Sequence, residues 1–181
     1  MKRIALVSAF SLLVLAFWGA PANAAQTVTV NFANAPQGTH FVTGTPAPSC
    51  TATATSVTCP AQAFELAGVG NNNATATLLA EFSAIVDCFN PGQNPNNPVE
   101  SHTQTTTVTT TSGLLSPKNG RLTISPLTAT APSAADFQAL ATCPNPNWTP
   151  VVRPGSVQLT SFTFTVTFEG FAAPAITITG P

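Results

Sequence analysis

Two histidines, six carboxylic acids and four cysteines are the residues of this 181-residue chain from which an acid–base, metal or redox centre could be assembled, and there is no tyrosine. The most suggestive group is Glu100-Ser101-His102, which offers an acid, a hydroxyl and an imidazole in sequence. Nucleophilic catalysis needs hydroxyl and imidazole to face each other. The surrounding run "SHTQTTTVTTTSGLL" is strongly β-prone, and neighbours on a strand point to opposite faces, so Ser101 and His102 diverge. Glu100 and His102 share a face, but one carboxylate and one imidazole fall short of a metal's ligand set. Paired carboxylates that hydrolyse glycosides stand ~5–10 Å apart. Glu81 and Asp87 lie three alternations apart on one expected strand, roughly 20 Å. The chain has no glycine-rich phosphate loop and no nucleophile elbow. We expect no catalytic residue, no metal site and no cofactor, hence no enzyme.

Cys50, Cys59, Cys88 and Cys143 stand 9, 29 and 55 residues apart, with no C-x-x-C pair to suggest zinc. In an exported chain four cysteines read as two disulfides, for which three pairings exist. The expected pairing joins Cys50 to Cys59 across "TATATSVT", a small hairpin, and Cys88 to Cys143, tying a strand end to the end of a helix. The latter bond anchors "CPNPNWTPVVRPG" (143–155), expected as a proline-rich loop. There Trp148 can offer a stiff ring face flanked by Asn145, Asn147 and Arg153, a combination suited to stacking on a sugar and bonding its hydroxyls. The plainer alternative packs Trp148 over the disulfide and prolines. Asn73-Ala74-Thr75 and Asn147-Trp148-Thr149 match glycosylation acceptors.

These residues need a scaffold and an address. "MKR", then "IALVSAFSLLVLAFWGA", then "PANA" reads as a signal peptide over 1–24, cleaved after Ala24, leaving one domain at 25–181 with no membrane span. No cysteine follows the cut for lipid attachment, and "PAITITGP" carries no wall-sorting tail. The mature chain keeps Lys118, Arg121 and Arg153 against six acids, a formal charge of −3. Three scattered cations cannot neutralise a run of phosphates, which argues against nucleic acid and anionic membranes as partners. Threonine makes up about a fifth of the mature residues. Ranks of hydroxyls and methyls can order water, so ice binding is a third class, but the equal-length turns of a repeat array are missing.

Period-two alternation locates the strands. "SFTFTVTFEG" puts Phe162, Phe164, Val166 and Phe168 on one side and hydroxyls on the other. Strands are expected at 26–32, near Phe41 and Val42, within 50–59, along 74–89 and 101–115, and at 156–169 and 174–179. "AQAFELAGVGNNNA" reads as a loop, as does "NPGQNPNNP" (90–98). Asn119-Gly120 should turn 101–115 back onto 120–128 as a hairpin. One helix is expected, capped by Ser133 with Asp136 closing a capping box, burying Phe137 and Leu140 and ending at Pro144.

The order in 50–86, "CTATATSVTC" followed by "FELAGVGNNNATATLLAEFSAIV", resembles the immunoglobulin-like conserved repeat of bacterial surface proteins. That resemblance implies an extracellular β-sandwich serving as spacer or adhesive module, without catalytic residues. The "GVGNNN" loop is longer than the family's usual turn. Taken together, the expectation is an all-β, immunoglobulin-like or Greek-key β-sandwich of about 7–9 strands with one short helix. Its expected role is secreted and non-catalytic, in association with a cell surface or extracellular matrix. Cell-wall or extracellular polysaccharide, or surface proteins, are the expected partners, with a glycan-binding module at Trp148 as the alternative.

Overall fold

A computed structural model describes residues 25–92 and 98–181. The expected signal peptide at 1–24 and its cleavage site lie outside the described residues. The strands are β1 (Thr27–Val30), β2 (His40–Phe41), β3 (Thr51–Ala52), β4 (Ser56–Cys59), β5 (Phe64–Ala67), β6 (Ala74–Phe89) and β7 (Glu100–Leu115). After these come β8 (Arg121–Ile124), β9 (Leu127–Thr130), helix α1 (Ala134–Leu140), β10 (Thr149–Val152), β11 (Gln158–Phe168) and β12 (Ile176–Gly180). The fold is mostly β, in several antiparallel sheets, and α1 is its one α-helix among the described residues.

The main sheet runs β1-β12-β11-β6-β10, with β7 also paired to β6. β11 takes Ala74–Ser83 of β6 and β10 takes Val86–Phe89, whereas β7 spans Ala74–Cys88. A strand has two edges, so β10 and β11 lie end to end along one edge of β6 and β7 occupies the other. Two three-stranded sheets complete the set, β2-β5-β8 and β3-β4-β9. Because β4 leads into β5 and β8 into β9 across short links, these two sheets are also end to end. Pro60 and Pro126 sit in those links, where a residue without an N–H interrupts the ladder.

The three sheets share one core. Every even position of β6 from Ala74 to Cys88 is buried, as are Phe162, Phe164, Val166 and Phe168 of β11 and Ile176 and Ile178 of β12. The smaller sheets contribute Val57, Phe64, Leu66, Leu122, Ile124 and Ala129. Alanine at Ala74, Ala76, Ala80 and Ala84 keeps the centre of β6 low beside the phenylalanines of β11. Gly180 stands opposite Phe162, and a Cβ placed there would come within 2.6 Å of the ring, so the glycine is what makes room for it.

Several expectations need correction. β7 does not fold back on 120–128. The Asn119-Gly120 turn forms, with both residues at positive φ, but closes only the Lys118–Arg121 bridge. β7 instead pairs with β6 over the whole of its length, and β8 and β9 leave for β5 and β4. The reason is burial: Leu122 and Ile124 must reach the core, and their neighbours there are Leu66 and Phe64. "FELA" is strand β5 rather than loop, with Phe64 and Leu66 buried in alternation. "TPVV" within the expected 143–155 loop is strand β10. In α1 the capping box at Ser133 and Asp136 is present and Phe137 is buried, but Leu140 is 50% exposed.

Candidate functional site

Both expected disulfides form, Cys50–Cys59 and Cys88–Cys143. The first closes the β3–β4 hairpin, and the Gln26 side-chain amide brackets Cys50, accepting from its N–H and donating to its carbonyl. The second ties β6 to the segment after α1 and thereby sets the Trp148 region. Asn145 shapes that region: its Oδ1 accepts from Asn147 N–H at 2.9 Å and its carbonyl accepts from Trp148 N–H at 3.0 Å. Trp148 is half-buried. With Ala141, Thr142, Cys143, Asn145, Pro146 and Pro150 it lines a depression of about 490 Å³. The depression therefore contains the ring, the disulfide and one amide. Asn147 does not line it.

Arg153 is directed elsewhere. Its Nε donates to Asp87 Oδ2 at 3.0 Å and its Nη2 to Asp87 Oδ1 at 2.8 Å. Ser101 Oγ also donates to Asp87 Oδ1, at 2.6 Å, and accepts from Arg153 Nη2 at 3.1 Å. Val151 pairs with Asp87 whereas Pro150 pairs with buried Cys88, so alternation sets this cluster on the sheet face away from the core. The Arg153 hydrogen bonds, helped by Ser101 and by the guanidinium's charge, hold the buried Asp87 carboxyl below the usual carboxylate range despite burial pushing the other way. Every member is committed to the others. The cluster clamps β6, β7 and the break between β10 and β11, with Ser101 as a donor to the carboxylate. Asp87 pairs by expectation only with Glu81 on its own strand, and no local pattern links it to Arg153 across a separation of 66 residues.

Glu100 and His102 lie together as alternation predicts, with Oε1 and Nε2 3.4 Å apart. Among the described residues no three His, Cys, Asp or Glu side chains gather as a metal site. Glu81 meets Ser161, whose Oγ donates to its Oε2 at 3.4 Å, and Asn73 Nδ2 donates to Glu169 at 2.9 Å.

The most regular feature is the outward face of the main sheet. Register places Thr29, Thr177, Thr165, Thr77 and Thr111 in one row across β1, β12, β11, β6 and β7. The adjacent row is Thr27, Thr179, Thr163, Leu79 and Thr109, so nine of ten positions are threonine. Strand geometry spaces these side chains ~4.8 Å across strands and ~6.8 Å along them. No ionisable group interrupts either row; Glu81 enters only in the next, between Ser161 and Thr107.

No family model, no curated protein and no solved structure matches the chain.

Proposed function

We propose that this is an exported, non-catalytic β-sandwich of immunoglobulin-like or Greek-key type that associates with a cell surface or extracellular matrix, using the threonine face of its main sheet. The observation that carries this reading is the pair of threonine rows crossing five strands without an ionisable group. Hydroxyls there can exchange hydrogen bonds with a neutral polymer while the methyls lie against its apolar surface, and no charge need be desolvated. Two disulfides favour an oxidising compartment, which fits export with loss of 1–24. Among the described residues no helix is long and apolar enough to cross a membrane. The immunoglobulin-like resemblance of residues 50–86 belongs to the same reading. Purified 25–181 should cosediment with isolated cell envelopes or an insoluble neutral polysaccharide in a salt-insensitive way. Binding abolished by moderate salt, or none to any such surface, would remove the proposal.

A second reading has its own observation, the half-buried Trp148 in its depression beside Asn145. A soluble glycan bound there would be lost in Trp148→Ala while cosedimentation through the sheet face persists.

A further inference from the structure

Strand β7 is an edge. Among the described residues its one strand partner is β6. Among the described residues no strand pairs with the other side of this 16-residue strand, which leaves a row of backbone donors and acceptors; β9 touches β7 through a side chain, Thr110 Oγ1 donating to the Thr128 carbonyl at 3.2 Å. Edge strands are normally blunted by lysine, proline, a bulge or brevity. None of these protects residues 104–111, "QTTTVTTT": the one irregularity of β7, at Ser112 and Gly113 opposite Ala76, begins beyond them, and no charged residue occurs between Glu100 and Lys118. The sequence is also nearly palindromic about Val108: Thr107 mirrors Thr109, Thr106 mirrors Thr110, and Thr105 mirrors Thr111.

The direction of the backbone groups can be read from β6. Ile85 N–H donates to Ser156 Oγ and Ile85 carbonyl accepts from Arg153 N–H, so odd positions of β6 bond toward β10 and β11. Even positions then bond toward β7, and Ala80 faces Val108 as a hydrogen-bonded pair. It follows that the odd residues of β7, Thr105, Thr107, Thr109 and Thr111, direct their N–H and C=O groups to the free edge.

We infer that β7 pairs antiparallel with β7 of a second copy of this chain, about a two-fold axis through Val108. In this register Thr105 meets the other copy's Thr111 and Thr107 its Thr109, giving about eight backbone hydrogen bonds across the axis. Val108 meets Val108 as a close non-hydrogen-bonded pair. Glu100 falls opposite Ser116, so no like charges are brought together. Odd residues pair with odd, which keeps the outward faces on one side and carries the threonine rows across the dimer. Such an interface is isologous and closed, so it caps both edges at once. Contacts of this size sit at the small end of stable interfaces, which makes the dimer concentration-dependent. The inference stands on the edge itself and does not depend on what the sheet face binds.

Sedimentation velocity of disulfide-intact 25–181 over a concentration series should show the mass doubling. Thr105→Lys/Thr111→Lys and Thr105→Glu/Thr111→Glu each place like charges opposite one another in this register. Each alone should lose at least tenfold in dimer population with unchanged melting, and an equimolar mixture should recover a mixed dimer in native mass spectrometry. Val108→Cys should crosslink to a covalent dimer on oxidation and Thr110→Cys should not. A chain monomeric up to its solubility limit, a dimer indifferent to the charge pairs, or equal crosslinking at 108 and 110 would overturn the inference.

Discussion

Asp87 is the residue on which an electrostatic prediction can be made, because it is a buried carboxylate on a strand whose other odd positions, Ser83 excepted, are half-buried or exposed. Its folded-state titration lies below that of the unfolded chain, chiefly through the hydrogen bonds from Arg153. The stability it contributes is therefore fully present above the ordinary carboxylate range and is lost as pH falls through its depressed folded value. The wild-type melting temperature should fall between neutral pH and about pH 3, and Asp87→Asn should start lower at neutral pH and show a flatter acid limb. Equal acid slopes in the two proteins would show that Asp87 is not part of the acid response. This cluster was illegible in the sequence, where Asp87, Ser101 and Arg153 are separate and only the fold brings them together. By contrast, the Glu100–His102 pair and the divergence of Ser101 from His102 followed directly from alternation.

Elements were legible where one period ran long enough to dominate. β6 alternates along its 16 residues and β11 from Ser161 to Phe168, so their buried stripes could be read residue by residue. β5 and β10 have four residues each beside glycines, asparagines or prolines, and the local turn chemistry outweighed their short patterns. Pairing was the least readable layer. Asn119-Gly120 is a genuine tight turn, yet a turn fixes only its own flanks, and burial of Leu122 and Ile124 decided where the chain went next. Helix α1 gives a sharp test of the same idea. Its capping box was evident from Ser133 and Asp136, but which apolar residue it buries depended on packing. Phe137→Ala should cost about 3–4 kcal/mol through the cavity it leaves, whereas Leu140→Ala, at a half-exposed site, should change unfolding by no more than about 0.5 kcal/mol. Urea unfolding curves would check both, and comparable losses would mean that α1 docks differently.

At the scale of the whole molecule, two covalent ties and three sheets around one core hold a face that does no titration chemistry along its two central rows. The even positions of β6 and β11 take up the apolar side chains, which leaves threonine on the odd positions to serve strand preference and, in the function proposed above, contact as well. Charge stays out of those two rows: Glu81 enters only in the next, and Asp87 is paired with Arg153. The most direct test of this account compares wild-type 25–181 with Thr77→Lys/Thr177→Lys, two changes in one row on non-adjacent strands, in cosedimentation with cell envelopes or insoluble neutral polysaccharide. We expect at least a tenfold loss of retention with stability unchanged within about 0.5 kcal/mol. Undiminished retention by the lysine variant at equal stability would contradict the assignment of this face as the contact surface.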